Sequence, residues 1–305
     1  MYLLTAAILI GVIALLYSGY RNTKSVQINQ INLEKIEREK ADQEKTDQEK
    51  TKPLRILHLS DIHLENLSIT PQELYNYINK QHIDLIALTG DFLDRKRSIK
   101  RLAPYLEVIG KINPKYGTYA NFGNHDYVLK EEPFRRLKQM LIDYGIHTLQ
   151  NENKAIDING ISLNIIGIDD YGTGRSNLSK SYEGLQNGYN LVLTHDPNVV
   201  LEMEEYHFNY LLAGHFHGGQ IHWPKPYHLV KMGKLVRMDM VKGMQYFRGR
   251  PFYISEGLGQ TGVNIRFGSR PEITFHQIEL PVEETQAVET RKDVGARLDK
   301  HSAAS

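Results

Sequence analysis

The chain has 305 residues, 41% hydrophobic and 24% charged, which is long enough for one large domain or two small ones and apolar enough for a sizeable core. A formal net charge of +1 offers no general attraction to a polyanion and disfavours a nucleic-acid binder. Cysteine is absent, which excludes disulfides, thiolate metal sites and cysteine nucleophiles together.

The first expected element is the apolar run LLTAAILIGVIALL at residues 3–16, which extends through Tyr20 without meeting a charge. Spanning a bilayer takes about 17 to 25 residues, so residues 1–20 are read as a transmembrane anchor of a single-pass cell-membrane protein. No basic stretch precedes the run and no small-residue cleavage motif follows it, which speaks against a removed signal peptide. Arg21 and Lys24 come next, and the positive-inside rule then assigns the rest of the chain to the cytoplasm. Residues 21–52 follow as a charged stalk or linker. Within them INLEKIEREKADQEKTDQEKTK repeats DQEK, has almost no apolar stripe and spaces Glu and Lys for i,i+4 pairs, so it reads as a solvated helix or a disordered tether.

From 53 to 281 the pattern is α/β. Helix-like stretches such as TPQELYNYINKQ and EPFRRLKQMLIDYG alternate with the strand candidates LRILHLS, DLIALTG, GTYANFG, ISLNIIGI, NLVLTH, NYLLAGH, PFYISEG and EITFHQIEL. Most of these strands are continuous apolar runs, as sheets covered on both faces require. Residues 282–305 read as a polar tail.

Strand candidates run directly into SDIH at 60–63, GD at 90–91, GNHD at 123–126, TH at 194–195 and GHFH at 214–217. In open α/β sheets ligands bind at the carboxyl edge of the strands, where residues distant in sequence converge. In extended chain, side chains two positions apart point the same way, so Asp61 with His63, and His215 with His217, are expected to reach one spot each. A lone histidine beside an apolar run is ordinarily a hydrogen-bonded core residue, and His58, His82, His147, His207, His222, His228 and His276 are read so, with His301 in the tail. Charged groups are seldom buried unless paired or metal-bound, so Asp, Asn and His repeated at these strand ends point to a metal centre.

Taken together, DIH, GD, GNHD, His195 and GHFH resemble the ordered motifs of the calcineurin-like metallophosphoesterases. SEGLGQTGVNIRFGSRPE at 255–272 is similar to the closing segment of a bacterial membrane-associated phosphodiesterase branch of that family. The resemblance implies a four-layer αββα sandwich and two divalent metal ions. Asp61, His63, Asp91 and His217 would hold one ion and Asp91, Asn124, His195 and His215 the other, with Asp91 as the bridge. It also implies that His125 lies near the leaving oxygen as an acid or charge stabiliser, oriented by Asp94. Related protein phosphatases carry an Asp-Arg pair here, which makes Arg95 a candidate phosphate clamp. Oxygen and nitrogen ligands suit manganese, iron or zinc. A water bridging ions about 3.5 to 4 Å apart can ionise near neutral pH and attack phosphorus in line.

GGQIHWPKPYHLVKMGKLVRM at 218–238 mixes Trp223, Tyr227, Leu229, Val230 and Met232 with Lys225, Lys231, Lys234 and Arg237. It reads either as a strand and hairpin that bury the apolar residues or as an interfacial surface that meets an amphiphilic substrate. The expected function is a phosphodiesterase or pyrophosphohydrolase acting on a phosphate ester or lipid diphosphate at the membrane. A catalytically silent metal-binding membrane scaffold and a nuclease of the same family are the competing readings.

Overall fold

Apolar runs become the central strands of two stacked sheets in the computed structural model, which describes residues 1–41, 53–222 and 225–280. In chain order the strands are β1 (Gln27–Asn32), β2 (Leu54–Leu59), β3 (Leu85–Thr89), β4 (Thr118–Asn121), β5 (Ile146–Thr148), β6 (Glu152–Ile158), β7 (Ile161–Gly167), β8 (Tyr189–Leu193), β9 (Tyr210–Ala213), β10 (Gly243–Phe247), β11 (Arg250–Ile254) and β12 (Glu272–Ile278). The helices are α1 (Tyr2–Asn22), α2 (Leu33–Ala41), α3 (Pro71–Ile78), α4 (Ile99–Ile112), α5 (Asn124–Val128), α6 (Glu131–Asp143), α7 (Leu178–Ser181) and α8 (Lys234–Arg237). The first sheet has the order β1-β12-β2-β3-β4-β5 and the second β10-β11-β9-β8-β7-β6. Strands β2 to β5 run parallel, as do β7, β8, β9 and β11, so their carboxyl ends share an edge within each sheet.

Strand periodicity divides the interior into three apolar layers. In β3, Leu85 and Ala87 face the second sheet while Ile86 and Leu88 face the helices. In β9, Tyr210 and Leu212 point between the sheets while Leu211 and Ala213 point outward. Helices α3, α4 and α6 cover the outer face of the first sheet through side chains such as Leu74, Leu102, Leu106, Leu137 and Leu141. The short helices α7 and α8, with the 3-10 turns Pro197–Glu202 and Tyr227–Lys231, cover the second. The order helix, sheet, sheet, helix is the four-layer sandwich. Each fully buried aliphatic or aromatic side chain stabilises it by about 1.5–3 kcal/mol.

The expected stalk is in part a component of this fold. Strand β1 pairs in parallel with β12 as the edge of the first sheet, and Ile31 and Leu33 pack into the layer between the sheets. The polar spelling QINQIN suits an edge strand, which is exposed along one side. The rest of the stalk, residues 42–52, the expected tail, residues 282–305, and Pro281 before it lie outside the described residues.

Helix α1 contains an 18-residue stretch with a mean hydropathy of 2.1 and is long enough to cross a membrane. Among its residues only Gly19 is buried, so the helix contributes almost nothing to the core.

Candidate metal centre

The carboxyl ends of β2, β3 and β4 in one sheet meet those of β8 and β9 in the other. Asp61, His63, Asp91, His195 and His217 are all buried there. Asp91 Oδ2 stands 3.3 Å from His63 Nε2 and 3.1 Å from His195 Nε2. Asp61 Oδ1 is 3.4 Å from His217 Nε2 and 3.9 Å from His63 Nε2, and ligand-type atoms of Asp61, His63 and His217 all lie within 4.8 Å of one another. The same holds for Asp61, Asp91 and His195. His215 Nδ1 is 3.1 Å from His195 Nε2. Asn124 opens α5, and its Oδ1 is buried without a hydrogen-bond partner, as is His63 Nε2. Buried polar atoms are rarely left unsatisfied. A cation held by oxygen and nitrogen donors would satisfy both, so the residues fit a divalent metal.

Strand alternation does not produce this convergence. The strands end before these residues begin, and Asp61, His63, Asp91, His215 and His217 all adopt left-handed backbone, with φ of 50, 36, 55, 79 and 51°. Each such non-glycine residue costs about 1–2 kcal/mol. The sharp turns swing Asp61 toward His63, and His215 toward His195, where an extended chain would have carried them past the edge. Gly214 makes room for one turn. A Cβ there would collide with Ser60 Oγ and Asp61 Oδ2, and the His215 N–H, 3.1 Å from both Asp61 carboxylate oxygens, depends on that close approach.

Neighbouring groups orient these side chains. His195 Nδ1 donates to Thr89 O at 2.8 Å and His217 Nδ1 to Gly259 O at 3.2 Å, which turns each Nε2 inward. Asp94 Oδ1 accepts from His63 Nδ1 at 2.8 Å and lies 3.1 Å from His125 Nδ1. Asp94 thus faces both His125 and His63. Burial works to raise the Asp94 carboxyl, but the hydrogen bonds to His125 and His63 outweigh it and hold the group well below the usual carboxylate range. Burial likewise works to lower His63, yet the Asp91 and Asp94 carboxylates push it up to about 10. Positive charge is favoured beside Asp91 and Asp94, whereas burial pushes His215 down to about 4 and His217 well below its ordinary value.

Arg95 is not drawn in. Its backbone N–H and that of Asp94 are held by Glu65, both at 2.9 Å, and its side chain is exposed and does not line the cavity over the centre.

Sequence reasoning missed several residues. Asp126 is fully buried and accepts from the N–H groups of Asp91, Phe92 and Gly123 at 2.9, 2.9 and 3.0 Å, tying two ligand loops together. Burial and the charge of Asp91 push its carboxyl up to about 7. Asp170, beyond the end of β7, is fully buried with Oδ1 unpartnered. The run IGIDD carried the same signal as the other strand ends. His228, read as a core residue, is exposed and lines the cavity of about 270 Å³ over the centre, together with Ile221, Leu229, Met232 and Val263. The segment from 218 to 238 forms short helical turns around Leu229, Leu235 and Val236, which are buried, while Val230 remains exposed. Trp223 lies outside the described residues.

The family model for calcineurin-like phosphoesterases matches residues 54–219. The chain belongs to that family. It is 60% identical over 276 residues, covering 90% of this chain and 98% of the relative, to a Bacillus subtilis protein called uncharacterized metallophosphoesterase YkoQ. It is 28% identical to the Escherichia coli phosphodiesterase YaeI, covering 65% of this chain and 72% of that one. A bovine transmembrane protein with a metallophosphoesterase domain is also 28% identical, over 65% of this chain and 46% of its own length.

Proposed function

We propose that the protein is a dinuclear metal-dependent phosphoesterase that hydrolyses phosphodiester or diphosphate bonds. The observation that carries this reading is Asp91 Oδ2 lying within 3.3 Å of His63 Nε2 and 3.1 Å of His195 Nε2, so that one carboxylate serves two clusters. Asp61, His63, Asp91 and His217 would hold one divalent ion, and Asp91, Asn124, His195 and His215 the other. Manganese, iron or zinc suits such donors. When bound, the ions supply positive charge that holds the phosphate oxygens and acidifies water. His125, one-third exposed and paired with Asp94, is the group available to protonate the leaving oxygen. Arg95 has no part in this arrangement. The E. coli relative's name supports a diesterase over a protein phosphatase.

Helix α1 would anchor the domain as a single membrane pass, a reading that the bovine relative's name supports. Arg21 and Lys24 at its end favour a cytoplasmic domain.

Hydrolysis of bis-p-nitrophenyl phosphate with added manganese tests the chemistry. Turnover that requires the metal and disappears in Asp91→Ala supports the phosphoesterase. No turnover in either protein would favour a metal-binding scaffold instead.

A further inference from the structure

The loop that completes the metal centre is also the loop on which α1 stands. After β11, Leu258 N donates to Ser60 O at 2.9 Å, Gly259 N donates to Asp61 O at 2.7 Å, and Gly259 O accepts from His217. Arg266, fully buried, organises this loop. Its Nη1 donates to the carbonyls of Glu256 and Arg270 and to Ser269 Oγ, and its Nη2 to the carbonyls of Gly257 and Gly259, at 2.6–3.0 Å. Ser269 Oγ in turn donates to His217 O at 2.7 Å. A buried guanidinium saturated by carbonyls makes the loop a rigid block.

On its other side the same block receives α1. Arg266 N donates to Gly19 O at 3.0 Å and Asn22 Nδ2 donates to Arg266 O at 2.8 Å. A Cβ on Gly19 would stand 2.5 Å from Phe267 Cζ, so the absence of a side chain lets helix and loop touch. Phe267 forms a β-bridge with Ile221, one strand spacing or about 5 Å away. Ile221 and Val263, 40% and 64% exposed, rim the cavity over the centre. Gln220 Nε2 binds Val263 O at 2.9 Å and ties the two rim segments together. Tyr17 and Tyr20 end the apolar part of α1, and exposed Arg21, Lys24 and Arg270 surround its exit. Aromatics and cations at the end of a spanning helix mark headgroup depth.

We propose that the face carrying Ile221, Val263 and the α1 exit lies in the headgroup layer of the membrane that α1 crosses, so that the cavity takes phosphoesters borne by lipids of that leaflet. The surface rests on α1 spanning the bilayer, and the substrate class rests also on the phosphoesterase reading. An unpartnered apolar rim is thereby covered by lipid continuous with the lipid around α1.

The chain has no cysteine, so single-cysteine variants of the full-length protein can be labelled cleanly with an environment-sensitive fluorophore. In vesicles of phosphatidylcholine and phosphatidylglycerol containing brominated lipid, a label at Val263→Cys is expected to be strongly quenched. One at Lys115→Cys, exposed ahead of β4 at the opposite edge of the sheet, is expected to stay bright. Equal quenching at the two positions would overturn the surface. This readout needs no turnover, so it is decided independently of the chemistry. Substrate class is read separately: hexadecyl p-nitrophenyl phosphate in vesicles should be hydrolysed with kcat/KM about tenfold or more above bis-p-nitrophenyl phosphate in solution, and equal values would overturn that part.

Discussion

His125 stands beside the metal centre without being one of its proposed ligands, and its chemistry follows from that position. Burial works to lower the imidazole, but the Asp94 hydrogen bond and the charge of Asp91 raise it above its ordinary value, which favours the protonated form. A held proton matters only when the departing oxygen needs one. His125→Ala is therefore expected to reduce kcat on an alkyl diester by about 10²–10⁴-fold, and by at least about tenfold less on bis-p-nitrophenyl phosphate, whose leaving group departs as a stable anion. Equal losses on both substrates would mean that His125 acts otherwise. At this scale the sequence signalled the gathering of Asp61, His63, Asp91, Asn124, His195, His215 and His217, because each lies just beyond an apolar run and is of a type that burial alone disfavours. Asp126 stood inside the GNHD block but was given no role, because spelling does not distinguish a carboxylate that accepts backbone N–H groups from a solvated one. Asp170 carried the same cue as the ligands but matched no block of the resembled family.

Among elements, the turns after the strands decide whether the carboxylates and imidazoles converge. Gly214 links β9 to His215, and a methyl group there would drive Asp61 and Ser60 away. Gly214→Ala is expected to weaken manganese binding by about 10- to 100-fold and to lower the stability of the metal-free protein by about 1–3 kcal/mol, measured by calorimetric titration and by unfolding. Unaltered affinity would show that the close approach is not needed. The central strands were readable because they are covered on both faces and written as unbroken apolar runs. The polar strands β1, β6 and β10 escaped because edge strands bury less of their surface, and Gln, Asn and Glu interrupt the runs. The left-handed turns escaped for another reason: Asp and His there are ordinary in spelling and unusual only in φ.

In the molecule as a whole, two sheets close over His58 and His276. His58 Nε2 shares a hydrogen bond with Thr89 Oγ1 and His276 Nδ1 with Tyr210 Oη, both at 2.8 Å. Burial lowers His58 to about 3 and His276 well below its ordinary value, so the fold accommodates both rings only as neutral groups. The stability they allow is fully present above the unfolded-state value near 6.5 and is lost as pH falls below it, by up to about 1.4 kcal/mol per pH unit for each ring. Between pH 6.5 and 5 the stability of His276→Leu is expected to fall less steeply than that of the parent by up to that amount. Parallel slopes would show that the ring does not resist protonation. The contact of α1 with Phe267 belongs to this scale too, and no local pattern announces it, since Gly19 and Phe267 lie at opposite ends of the folded sequence.

Beneath all of this lies the claim that the gathered carboxylates, imidazoles and Asn124 hold a pair of divalent ions. Elemental analysis of the full-length protein, loaded with excess manganese and then desalted, tests it most directly. Two ions per chain are expected in the parent, with both greatly reduced in Asp91→Ala. A parent protein that retains no more metal than the variant would contradict it.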